Sequence, residues 1–124
     1  MVFILADDMG RDTWGAYGSK DCQTPNIDLL ADEGTRFERA YCSVAMCAPF
    51  RQELYSGRSP WRTGTLPNHS KSAPGTQSIP HYLKPLGYRV ALLGKSHVGP
   101  KECYPFEMLG DVSKKTDANP EILK

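Results

Sequence analysis

Arg89-Val90-Ala91-Leu92-Leu93-Gly94, followed at once by Lys95-Ser96-His97, is the stretch whose reading decides the fold. An apolar run of this kind, entered from Gly87-Tyr88 and closed by a glycine, predicts a buried strand of a parallel sheet. A second run, Val2-Phe3-Ile4-Leu5-Ala6, has the same character and ends abruptly in Asp7-Asp8. In an open α/β sheet ligands bind beyond the carboxyl ends of the strands, so parallel neighbours would bring both sets of polar residues to one side. Two adjacent acids there suit a hard cation. An Asp-rich turn that merely ends the strand is the other reading, because neighbouring strand-end residues point apart unless the backbone bends between them.

Working outward, Cys47-Ala48-Pro49-Phe50-Arg51-Gln52-Glu53-Leu54-Tyr55-Ser56-Gly57 predicts a short helix, with Pro49 in its first turn and Gly57 as its stop. Cys47 would face unpaired backbone N–H groups and a nearby guanidinium, a reactive rather than a structural setting. Taken alone, a cysteine that happens to precede a helix explains the pattern equally well.

Thr24-Pro25-Asn26-Ile27-Asp28 is a second helix start, with Ile27, Leu30 and Ala31 on one face and Gly34 as the end. Met9 to Gln23 reads as a glycine-rich loop, and Thr35 to Tyr41 as a strand or extended segment. Arg58 to Gly75 has no periodic apolar pattern and predicts a long loop, a feature that is often functional. Ser78 to Lys84 predicts a capped short helix with Ile79, Tyr82 and Leu83 inward and Pro85 at its end. From Gly99 to Lys124 no further core strand is expected, and Asp111 to Asp117 is charge-rich. Two parallel strands and two or three helices make a thin α/β domain.

The 124 residues bound the chain to one domain at most, and a net charge of +1 supplies no field selecting nucleic acid or an anionic membrane. Val2 to Ala6 is far too short to cross a bilayer, so no transmembrane segment is expected. No secretory leader is visible, and location stays open. Cysteines 22, 42, 47 and 103 have neither the density of a disulfide scaffold nor zinc-site spacing.

Three polar clusters thus occupy comparable positions: Asp7 and Asp8, Cys47 and Arg51, and Lys95 and His97. Carboxylates can hold a metal, the metal and Lys95 can neutralise a tetrahedral anion, and His97 can donate a hydrogen bond or transfer a proton. Arg51 can orient the nucleophile at position 47.

With these clusters in place, the chain strongly resembles the amino-terminal catalytic region of the sulfatase family, within the alkaline-phosphatase-like superfamily. The resemblance lies in Val2 to Gly10, Thr24 to Cys42, Cys47 to Gly57 and Gly87 to Gly99, in the family's order. It implies an α/β, alkaline-phosphatase-like fold, with a partial mixed or mostly parallel sheet flanked by helices. It implies that Asp7, Asp8 and position 47 bind a divalent metal, usually calcium. It also implies that a separate maturation enzyme converts Cys47 to formylglycine, whose hydrated aldehyde attacks sulfur. Arg51 matches the arginine supporting that residue, while Lys95 and His97 match side chains contacting the substrate and the formylglycine. Phe50 departs from the family motif Cys-x-Pro-Ser-Arg, although the shorter core Cys-x-Pro-x-Arg is kept.

The expected substrate is a sulfate ester, either a small molecule or a sulfated glycan. Residues 1–124 are expected to be the amino-terminal part of a longer catalytic domain, completed by a carboxyl-terminal half or an oligomeric partner. Since calcium takes roughly six to eight oxygens, catalysis by these residues alone is not expected. Three alternatives stay open: a phosphonate or phosphate monoester hydrolase with the same nucleophile, a noncatalytic remnant or binding module, and a thiol enzyme using Cys47 and His97.

Overall fold

The computed structural model describes residues 1–110. They divide into two compact units, residues 1–41 and a second beginning at Cys42.

In the first unit the leading segment has no regular secondary structure up to a bend at Asp7 and Asp8. Among the described residues the only β-ladder lies elsewhere, and Val2, Phe3 and Ile4 are exposed. The expected buried strand at Val2 to Ala6 is therefore corrected. A strand exists only by pairing, and the described residues offer this run no partner backbone. Two short 3₁₀ turns, Arg11–Thr13 and Gly15–Tyr17, then lead to helix α1, Pro25–Glu33.

Thr24 does not cap α1 in the expected way. Its hydroxyl accepts a bond from the Gly15 N–H at 2.9 Å and donates to Asp28 Oδ1 at 2.9 Å. Asp28 Oδ1 also accepts from the Ala16 N–H at 2.7 Å. Gly15 suits this close approach, because a Cβ there would lie 2.4 Å from Asp28 Oδ2 and displace that carboxylate. The Ile27 and Leu30 face of α1 is exposed, and Thr35 to Tyr41 pairs with no strand among the described residues. That last segment is instead held by side chains. Tyr17 donates to the Phe37 carbonyl at 2.8 Å, Arg11 donates to the Glu38 carbonyl at 2.9 Å, and both Arg11 and Arg36 lie over the Tyr17 ring.

The second unit contains α2, Cys47–Ser56; α3, Pro60–Thr63; α4, Ile79–Leu83; and strands β1, Ala91–Leu92, and β2, Glu107–Met108. Helix α2 stops at Gly57 as its sequence predicts. The glycine takes a left-handed φ of 65°, and its N–H reaches the Glu53 carbonyl at 2.8 Å. The strands pair in parallel, Ala91 with Glu107 and Leu92 with Met108. The chain is thus α/β, with helices and a small parallel sheet.

Two further expectations are corrected here. The strand at Arg89 to Gly94 is buried on one face only, with Val90 and Leu92 inward and Ala91 and Leu93 outward, following the period-two alternation of a strand. Beyond Gly99 the short strand β2 is exposed at both residues, so no further core strand forms among the described residues, as expected; it pairs with β1, and Glu107 receives a bidentate contact from Arg89 at 2.7 and 2.5 Å. Ile79 and Tyr82 face outward, and the chain turns through Pro85 in a 3₁₀ segment, Lys84–Leu86, that ends at a left-handed Gly87. The charge-rich stretch Asp111 to Asp117 lies outside the described residues.

The core of this unit is largely polar. Gln52 is fully buried, and its amide nitrogen donates to the Ala48 and Ser70 carbonyls at 3.2 and 2.9 Å. Its amide oxygen accepts from the Ser72 N–H and hydroxyl, both at 2.9 Å. Ser72 also meets the Tyr104 hydroxyl at 2.5 Å. Burial pushes the Tyr104 phenol pKa up, against the opposing bond from Ser72. The predicted loop Arg58 to Gly75 therefore contains α3 and buried, hydrogen-bonded Thr63, Thr65 and Ser72, rather than being a purely surface segment.

Candidate active site

In the first unit, the bend that two adjacent acids need is present. Asp8 has a left-handed φ of 54°, a conformation that turns the backbone between neighbouring side chains. A carboxylate oxygen of Asp7 and one of Asp8 come within 4.8 Å of each other, and both residues are exposed. Two oxygen donors at that spacing fit a hard divalent cation.

In the second unit, Cys47 is the first residue of α2 and Arg51 lies one turn on, so both occupy the same side of the helix. Arg51 is only 4% exposed, and its guanidinium donates to the Lys95 carbonyl at 2.8 Å. The arginine thereby fastens the connection from β1 to β2 onto α2. A parallel connection must be long, and this one, from Leu93 to Phe106, carries Lys95 and His97 just past the end of β1. Lys95 is exposed and His97 half-buried; the His97 backbone is left-handed, with φ 48°.

Two contributors escape the sequence reading. Met46 precedes α2 and cannot cap it with a side-chain oxygen. Asn68 takes that part from the loop, its Oδ1 accepting from the Ala48 N–H at 3.3 Å, beside Cys47. His69 then meets His97, Nδ1 to Nε2, at 2.8 Å, with ring centroids 4.7 Å apart. The one sequence signal for either residue is the long Pro- and Gly-rich loop, and no local spacing names them. None of the four cysteines is disulfide-bonded. Among the described residues no helix is long and apolar enough to cross a membrane.

Known proteins place this geometry in context. The family model described as Sulfatase matches residues 1–112. The chain is 38% identical over 107 residues to an ulvan-active sulfatase of Formosa agariphila, covering 86% of this chain and 22% of that protein. It is 35% identical over 111 residues to the human N-sulphoglucosamine sulphohydrolase, covering 86% and 22%. An N-acetylgalactosamine-6-O-sulfatase of Bacteroides thetaiotaomicron is 36% identical over 104 residues, covering 80% and 20%. The chain thus spans about a fifth of the length of these curated relatives.

Proposed function

The chain belongs to the sulfatase family, and from that premise we propose that it supplies the nucleophile and part of the metal site for hydrolysis of a sulfate ester. The observation that carries this reading is the start of α2, where Cys47 and the buried Arg51 stand one turn apart in a Cys-x-Pro-x-Arg motif. Cys47 is the residue that a maturation enzyme would convert to formylglycine, whose hydrated aldehyde would supply a hydroxyl to take up the sulfuryl group as the ester's alcohol leaves; loss of sulfate would then return the aldehyde. Arg51 keeps that helix start and the Lys95 backbone in register. Lys95 neutralises charge on the sulfate oxygens, and His97 donates a hydrogen bond or moves a proton at the nucleophile.

Asp7, Asp8 and the converted residue would hold a divalent ion, calcium by family resemblance. When bound, the ion supplies positive charge that polarises the sulfate group. The names of the relatives, which act on ulvan, N-sulphoglucosamine and N-acetylgalactosamine-6-sulfate, favour a sulfated carbohydrate as substrate. Residues 1–124 are read as the amino-terminal part of an alkaline-phosphatase-like catalytic domain whose sheet continues beyond β1 and β2. The exposed apolar side chains of Val2, Phe3 and Ile4 support that reading, since a contiguous exposed apolar run calls for further chain to cover it.

Phe50, where the family carries serine, favours a second reading in which the site binds anions without turnover. Side-by-side rates on an aryl sulfate and an aryl phosphate, using the complete formylglycine-containing enzyme of which these residues are read as the amino-terminal part, with calcium calorimetry as a companion, separate the readings. Sulfate turnover lost in Asp8→Asn, together with the calcium heat, is the expected result. Faster phosphate turnover would make the enzyme a phosphate monoester hydrolase, and calcium binding with neither ester cleaved would leave a noncatalytic module.

A further inference from the structure

The loop from Pro67 to Ser72 meets the scaffold of the site at several points, all inside the second unit. Ser70 and Ser72 are fixed by the buried Gln52 amide on α2. Asn68 Oδ1 accepts from both the Ala48 N–H of α2, at 3.3 Å, and the His69 N–H, at 3.1 Å. His69 then reaches out to His97 at 2.8 Å.

We propose that His69 is a positioning residue for His97, setting the orientation and tautomer of its ring from the frame of α2. The inference rests on the reading of His97 as a working residue of the sulfatase site. His97 sits in a connection, where neither helix nor strand geometry aims its side chain, and its left-handed φ of 48° is unusual for a residue with a Cβ. His69 has the same rare conformation, with φ 63°.

A nitrogen-to-nitrogen bond between imidazoles needs one protonated and one bare nitrogen, so each ring dictates the tautomer of the other. Arg51 and His69 are then two ties from α2 to the β1–β2 connection, on either side of Ser96. The first holds the Lys95 backbone and the second aims the His97 ring.

The test is ring ¹⁵N NMR of the whole chain at about pH 8, above the ordinary histidine range. His81, bonded to the Ser78 N–H rather than to this pair, is the internal control. In the wild type, His69 and His97 are expected to show the widely separated nitrogen shifts of single tautomers. In His69→Ala the two His97 shifts should leave their wild-type values and move toward each other, and in His97→Ala the His69 shifts should do the same. Should one variant disturb the α2 amides, the other decides. Wild-type shifts on the remaining partner would overturn the proposal. The measurement uses no substrate, so a failure of sulfatase turnover leaves its outcome unchanged.

Discussion

Residues 1–41 and residues 42–110 solve the same problem in different ways. The first unit buries no residue, and exposed arginines and one tyrosine hold its returning segment. The second buries a hydrogen-bonded network on α2 and hangs Asn68, His69, Lys95 and His97 from it. The difference teaches where positioning comes from. Exposed charged contacts contribute little each, whereas a satisfied buried amide fixes several segments at once and is costly to remove. The groups proposed to do covalent chemistry stand on the second kind of support, whereas the paired acids lie on an exposed backbone bend.

The strongest way to break this contrast is Gln52→Ala. It strips two bonds from Ser72 and one from the Ser70 carbonyl, and should destabilise the second unit by about 3 kcal/mol. Hydrogen exchange would show this as roughly a hundredfold loss of protection in α2, with the α1 amides unmoved. Next, Arg51→Lys removes a planar donor that an ammonium cannot replace in place. A loss of about 2 kcal/mol is expected in urea unfolding, together with faster exchange between Leu93 and His97.

Gly15→Ala probes the first unit. Displacing Asp28 loosens its bonds to Ala16 and Thr24, for about 1 kcal/mol confined to the α1 amides. A spread of that effect into α2 would contradict the contrast. The smallest effect belongs to Glu107→Gln. The hydrogen bond from Arg89, aided by its charge, holds the Glu107 carboxyl below the ordinary carboxylate range. Its contribution is therefore present above that range and is lost as pH falls through the lowered value. Both side chains are exposed, so an acid titration of wild type and variant should differ slightly, and only at low salt.

Much of this was legible in the sequence because it is local. Pro25, Pro49 and Gly57 mark helix ends through backbone geometry that a few neighbours determine. The polar residues after Leu93 stand where a parallel strand releases its chain. What escaped is nonlocal. Gln52 looks like an exposed helix residue until Ser70 and Ser72 fold over it, and Asn68 becomes a cap only when its loop returns to Ala48. β2 is two residues long and is defined by its partner rather than by its own pattern. Val2 to Ala6 fails for the opposite reason, since its composition describes a buried strand and pairing decides whether one exists.

Sulfate ester hydrolysis at this site requires Cys47 to be a nucleophile precursor rather than a thiol at a helix start. Protein produced together with a formylglycine maturation enzyme should yield a Cys47-containing peptide about 18 Da lighter than the unmodified form, by mass spectrometry. Recovery of the unmodified peptide alone under those conditions would contradict that role for Cys47.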